Sequence, residues 1–173
     1  MSLACKEKIL LITGGPGCGK TTIIQTLCKV FSRSNHEVAL CAPTGKASQK
    51  MSEICEVPAF TIHRLLKYNP LTNKFSYNIT NPIKTSDYTN KTVDAVIVDE
   101  SSMLDILLAK DLFSAIPHKA TLILVGDKDQ LPSVGPGILF ADLLQIKEIA
   151  KIELTTLFRR AEESLITYSA HKI

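Results

Sequence analysis

The sequence lacks any pair of cysteines at C-x-x-C spacing, and its five cysteines are an odd number: Cys5, Cys18, Cys28, Cys41 and Cys55. That argues against a structural zinc site or a disulfide framework and suits a reducing, cytoplasmic setting. No apolar run approaches the length of a membrane span, so no membrane association is expected. The start of the chain lacks a signal-peptide layout, because its apolar stretch leads straight into a glycine-rich loop. There is no dense basic run. A net charge of +3 and a pI near 8.6 permit a polyanionic partner without demanding one. Internal repeats and low-complexity tracts are absent too. What remains is an ordinary globular composition, 45% hydrophobic and 21% charged over 173 residues. One compact domain of that length buries roughly 70% of its unfolded surface and needs no staples.

Against this plain background one octapeptide stands out: Gly14-Gly15-Pro16-Gly17-Cys18-Gly19-Lys20-Thr21. It fits G-x-x-x-x-G-K-[ST], the phosphate-binding loop of P-loop NTPases. Before it, Ile9-Leu10-Leu11-Ile12 reads as a buried strand. After it, Ile23, Ile24, Leu27, Cys28 and Phe31 form an apolar stripe at helical spacing. The context is the one the chemistry needs. Glycines let backbone N–H groups turn toward phosphates, and the helix N-terminus adds its positive dipole end. Gly15, Pro16, Gly17, Cys18, Gly19, Lys20, Thr21 and Thr22 are therefore the expected ATP-binding residues. Lys20 would reach the β- and γ-phosphates, and the Thr21 hydroxyl would ligate Mg²⁺.

Strands and helices then alternate. Val38–Cys41 reads as a strand ended by Pro43, and Thr44 as the N-cap of a helix through Met51 and Ile54. Thr61 caps a short turn, 62–66. Residues 67–91 are rich in Asn, Thr, Tyr, Lys and Pro and read as a hairpin or loop insertion, with a turn at 70–74. Strands are expected at 93–98, 121–125 and 152–154. Helices are expected from Leu104 to Ile116, with Leu104, Leu107, Leu108, Leu112 and Ile116 facing inward, from Ile138 to Ile146, and from Ala161 onward. The fold class is α/β: a mostly parallel sheet with helices on both faces.

Three further constellations carry chemistry. Val96-Ile97-Val98 ends in Asp99-Glu100, an apolar strand delivering two adjacent carboxylates. Asp99 would hold Mg²⁺ and Glu100 would orient or deprotonate a water. The strand at 121–125 runs into Gly126-Asp127-Lys128-Asp129-Gln130, in the position where loops line the ligand crevice of an open α/β sheet. Gln130 can donate its amide to a γ-phosphate oxygen. Arg159, in Leu157-Phe158-Arg159-Arg160, offers a guanidinium for the transition-state charge. A polar turn at Gln130 and an exposed arginine pair are the plain alternatives.

Taken in order, these blocks resemble the first motor domain of RecD/TraA-type superfamily 1 DNA helicases, the group that includes the exodeoxyribonuclease V alpha subunit. Gly14 to Thr21 resembles motif I, and Ala42-Pro43-Thr44-Gly45-Lys46-Ala47 motif Ia. Thr61 to Leu66 is similar to a block typical of this group. Asp99 to Met103 resembles motif II, Gly126 to Gly135 motif III, and Phe158-Arg159 the start of motif IV. The resemblance implies a RecA-like core over residues 1–173, with 67–91 matching the small hairpin subdomain 1B. It implies catalytic roles for Lys20, Glu100, Gln130 and Arg159, and metal binding by Thr21 and Asp99. It places Pro43, Thr44, Lys46 and His63 along a single-stranded DNA path. Thr44 and Thr61 serve equally as helix caps, His63 equally as a packing residue, and the aromatics from Tyr68 to Tyr77 equally as anchors of the hairpin. The implied partners are single-stranded DNA and other subunits of a helicase–nuclease complex. Motifs V and VI, with a second arginine finger, do not occur in the 173 residues, and neither does the upstream adenine-reading glutamine. The expectation is a fragment of a longer helicase that binds nucleotide but does not unwind DNA by itself. An AAA-type remodeller, or a non-catalytic module that binds nucleotide or DNA, is the alternative reading.

Overall fold

A computed structural model of the chain describes residues 7–86, 91–131 and 133–155. In chain order the elements are β1 (Ile9–Gly14), α1 (Lys20–Arg33), β2 (Val38–Ala42), α2 (Gly45–Cys55), β3 (Ala59–Thr61), α3 (Ile62–Leu65), β4 (Tyr68–Asn69), β5 (Lys74–Phe75), β6 (Ala95–Val98), α4 (Ile106–Ala115), β7 (Thr121–Gly126), α5 (Leu139–Gln145) and β8 (Ala150–Leu154). A short 3-10 turn, Ser101–Met103, follows β6. Six strands form one sheet in the order β3-β2-β6-β7-β1-β8. Every pairing in it is parallel. The α/β class with a parallel core is thus the observed one.

Successive side chains of a strand point to opposite faces, and each face of this sheet is buried separately. Leu10, Ile12, Leu40, Ile97, Ile123 and Val125 pack under α1 and α2, against Ile24, Leu27, Phe31 and Met51. Leu11, Cys41, Val96, Val98, Leu122 and Leu124 pack on the other side with Ile62, Leu112 and Phe140. Both faces covered is why these strands read as continuous apolar runs. Cys28 and Cys41 sit in these layers, and burial pushes both thiols up to about 12. They are protonated core residues and not nucleophiles.

The caps are those the sequence offers. Thr44 accepts from the Ala47 N–H at 3.2 Å, and Thr61 from the Arg64 N–H at 3.2 Å. Asp105 accepts from the N–H groups of Leu107 and Leu108, both at 2.9 Å, and so starts α4 later than expected. With the helix beginning at Ile106, its inward face is Ala109, Leu112 and Ala115, and Leu107 is 62% exposed. Leu104, expected on that helix, is buried just before it. Strand β3 was not expected: three residues following Pro58 carry too little periodicity to read. Residues 67–86 contain the antiparallel β4–β5 pair, but Tyr77 and Ile83 are buried in the main core, so this stretch is pinned to it. Phe158, Arg159, Arg160 and the expected helix from Ala161 lie outside the described residues.

Candidate functional site

The strand order decides what meets what. β7 lies between β1 and β6, so the loops that follow all three open at one carboxyl edge of the sheet. The loop after β1 is bent by Gly17 (φ 78) and Gly19 (φ 81), left-handed conformations that a Cβ disfavours. Gly19 occupies the N-cap of α1 and offers no side-chain acceptor. The first N–H groups of the helix therefore keep their donors for something outside the protein. Lys20 folds back over the loop and donates to the carbonyls of Gly14 at 2.6 Å and Gly15 at 3.0 Å.

Across from the loop, β6 delivers Asp99 and Glu100. The Asp99 backbone N–H donates to the Cys41 carbonyl at 2.9 Å, tying the strand end to β2. The Glu100 N–H donates to Asp99 Oδ1 at 2.9 Å. Glu100 itself takes the left-handed conformation, φ 53, and starts the 3-10 turn. For a residue with a side chain that conformation costs of order 1–3 kcal/mol, and such residues cluster at functional sites. Burial raises the Asp99 carboxyl above its ordinary range. The Glu100 N–H bond pulls it down, the Glu100 charge pushes it up, and the charges of Lys20 and Lys50 pull it down; burial prevails.

The loop after β7 closes the third side. Asp127 is buried and accepts from the Asp129 N–H at 3.0 Å. The Lys128 N–H donates to Thr13 Oγ1 at 3.3 Å, and the Lys128 ammonium pairs with Glu153 at 2.6 Å, so the loop is stitched to β1 and β8. The Ser102 hydroxyl donates to Gln130 Oε1. That bond holds the carbonyl end of the amide and leaves its NH₂ end as the free donor.

These three loops and α2 enclose a cleft of about 560 Å³. It is lined by Gly15, Pro16, Gly17, Gly19, Lys20, Thr21, Thr22, Asp99, Glu100 and Gln130 among the expected residues. It also brings in Ala47 and Asp127, from blocks already singled out in the sequence, and Lys50, which sequence reasoning missed. Cys18 is buried beneath the loop and lines a separate recess of about 470 Å³ with Ile23 and Leu154. Pro43, Thr44, Lys46 and His63 do not line the cleft. Pro43 and Thr44 are half-buried at the end of β2, and Lys46 is exposed. His63 is exposed after β3 and packs its ring edge-on to Tyr68 at 5.6 Å and beside Phe75 at 5.7 Å. Among the described residues no group of three or more His, Cys, Asp and Glu could cage a metal. No helix there is long and apolar enough to cross a membrane.

The donor set suits a nucleotide with a hard divalent cation: a backbone cradle, an ammonium, one hydroxyl and one carboxylate. Residues 1–136 match the family model described as AAA domain. The chain belongs to that family. It is similar to the ATP-dependent RecD2 DNA helicase of Deinococcus radiodurans, 38% identical over 95% of this chain and 21% of that protein. It is 31% identical to the RecBCD enzyme subunit RecD of Mycolicibacterium smegmatis, over 83% of this chain and 29% of that protein. The chain thus spans less than a third of the length of these relatives. Its fold resembles the crystal structure of Pif1 helicase from Candida albicans, with a TM-score of 0.58 at 21% identity, over 94% of this chain and 39% of that one. This is the RecA-like core.

Proposed function

We propose that this chain is the ATP-binding motor domain of an ATP-dependent DNA helicase of the RecD type, acting on single-stranded DNA. The observation that carries the reading is the convergence of the phosphate loop, Asp99, Glu100 and Gln130 in one cleft. Lys20 exchanges its two loop carbonyls for the β- and γ-phosphates. Thr21 and Asp99 would hold Mg²⁺, which would supply charge neutralisation on the phosphates. Few protein ligands are needed, because Mg²⁺ keeps several waters and shares phosphate oxygens. Glu100 orients the attacking water and accepts its proton. Gln130, held by Ser102, donates to the γ-phosphate, and Arg159 adds positive charge there.

The DNA path is proposed along the carboxyl ends of β2 and β3. Lys46 supplies an exposed cation, and the ring cluster of His63, Tyr68 and Phe75 supplies faces for bases. Base–aromatic stacking contributes roughly 1–3 kcal/mol per base. Thr44 is partly engaged as a cap, so its part and that of Pro43 are in shaping the turn. Residues 67–91 are assigned to the 1B-like subdomain, and subunits of a helicase–nuclease complex are the proposed protein partners. The cytoplasm is the proposed location, in keeping with reduced cysteines.

Steady-state ATP hydrolysis with and without oligo-dT tests the reading. Residues 1–173 alone are expected to bind nucleotide, with that binding lost in Lys20→Ala, and to show little hydrolysis that oligo-dT stimulates; in a longer chain that includes them, stimulated turnover, and retained ATP binding but no turnover in Glu100→Gln, are expected. Parental turnover in Glu100→Gln rules out the assigned base.

A further inference from the structure

Lys50 is the cation in the cleft that no motif assigns. It sits in the middle of α2, one helical turn beyond Ala47, and both residues line the cleft opposite the phosphate loop. The cap explains why. Thr44 fixes the start of α2, and positions three apart share a face, so the face that presents Ala47 also presents Lys50. Lys50 is exposed, and no hydrogen bond or ion pair holds its ammonium among the described residues. Lys20 differs, since its ammonium is engaged by two carbonyls on the loop itself.

Lys50 lines the same cleft as Asp99, Glu100 and Gln130. The apolar recess formed by Cys18, Ile23 and Leu154 lies on the other side of the phosphate loop, and neither carboxylate lines it. A nucleotide laid along the loop has its terminal phosphate at the carboxylate end and its base away from it. Two carboxylates there repel a third phosphate, and Lys50 adds a cation to Lys20 and to the Mg²⁺ proposed at Asp99 in offsetting them.

Resting on the nucleotide reading above, we propose that Lys50 is a further phosphate-binding residue that senses the third phosphate of ATP and ties α2 to the nucleotide state. Residues at the start of the same helix, Thr44 and Lys46, belong to the proposed DNA path. An ammonium on α2 that engages ATP and releases ADP makes the helix respond to hydrolysis directly. The contact is a charge-assisted one made only with the triphosphate. It therefore acts on the difference between ATP and ADP and not on nucleotide affinity at large.

The test is the affinity of the purified protein for Mg²⁺ with a non-hydrolysable ATP analogue and, separately, with ADP, by titration calorimetry. Lys50→Ala is expected to weaken the triphosphate about tenfold and ADP less than twofold. Lys50→Arg, which keeps the charge, is expected to restore most of the difference. Equal losses for both nucleotides, no loss for either, or failure of Lys50→Arg to do better than Lys50→Ala overturns the proposal. Lys50→Gln, which keeps the stem and the helix propensity, is measured alongside and is expected to behave as Lys50→Ala, whose melting temperature is checked against the parent. Lys20→Ala separates the two levels. If Lys20→Ala loses both nucleotides while Lys50→Ala is unchanged, only the role of Lys50 fails. If Lys20→Ala binds normally, the nucleotide site itself is misassigned.

Discussion

Asp99 and Glu100 stand side by side at the end of β6, joined by the Glu100 N–H, which donates to Asp99 Oδ1. Burial raises the Asp99 carboxyl above the ordinary value of 3.8. The folded state therefore binds a proton at Asp99 more tightly than the unfolded chain does. The stability linked to that proton is fully present below 3.8 and is lost as pH rises through the higher folded value. At neutral pH the protein holds a buried charge at a net cost, offset in part by Lys20, Lys50 and the Glu100 N–H. Asn in place of Asp removes the charge and keeps an oxygen for that N–H. Asp99→Asn is thus expected to melt higher than the parent at pH 7 without nucleotide, with the gap narrowing as pH falls toward 4. Differential scanning fluorimetry across that range measures it. A variant that melts at or below the parental temperature at pH 7 contradicts the assignment of burial as the dominant effect. The same substitution is expected to weaken Mg²⁺-dependent nucleotide binding, a trade of function for stability.

Among the elements, the end of β7 couples packing to the site most tightly. Gly126 has no room for a side chain: an added Cβ would lie 2.9 Å from Phe140 Cε1 and 3.0 Å from the Ser102 backbone nitrogen. Ser102 in turn holds Gln130. Gly126→Ala is expected to destabilise by about 1–3 kcal/mol through overpacking. For a chain of this size each kcal/mol lowers the melting temperature by about 2–4 °C. It is also expected to reduce ATP turnover, since Ser102 and Gln130 move with the displaced turn. A thermal melt paired with an ATPase assay checks both, and an unchanged melting temperature would mean that Phe140 repacks freely. Elements of this kind also mark where sequence reading succeeds. β1, α1 and β7 are legible because their apolar runs are long and bounded by glycine. α2 and α3 are legible through Thr44 and Thr61. β3 is too short to show a period. In α4 seven of ten positions are apolar, so periodicity alone could not say which leucine faces in; the answer came from Asp105, which sets where the helix starts. Lys50 was missed for a related reason: it is an ordinary charged residue until it is known which face of α2 meets the phosphate loop. That follows from the order β6-β7-β1, a long-range property no local pattern encodes.

For the molecule as a whole, the cleft is an assembly of loops and one helix that are stitched together only loosely without ligand. The phosphate loop folds its own lysine inward, and the loop after β7 is tied to β1 and β8 mainly by the Lys128–Glu153 pair and the Lys128 N–H. Both Lys128 and Glu153 are exposed, so that tie contributes little. A ligand that bridges the phosphate loop, β6, β7 and α2 should stabilise the entire sheet edge. Binding to the folded state at a hundred times Kd adds about 2.7 kcal/mol, or about 5–10 °C in melting temperature for a chain of this length. The metal dependence should be distinctive. Thr21 and Asp99 alone make too sparse a set to capture Mg²⁺ without phosphate oxygens. Mg²⁺ by itself is therefore expected to leave the melting temperature unchanged. ATP by itself is expected to raise it slightly, the two together are expected to give the full shift, and a chelator is expected to return it to the value with ATP alone. Lys20→Ala should show no shift in any of these mixtures. A large shift with Mg²⁺ alone would place a dedicated metal cage in the fold, and an equal shift with and without Mg²⁺ would remove Thr21 and Asp99 from the metal-binding role.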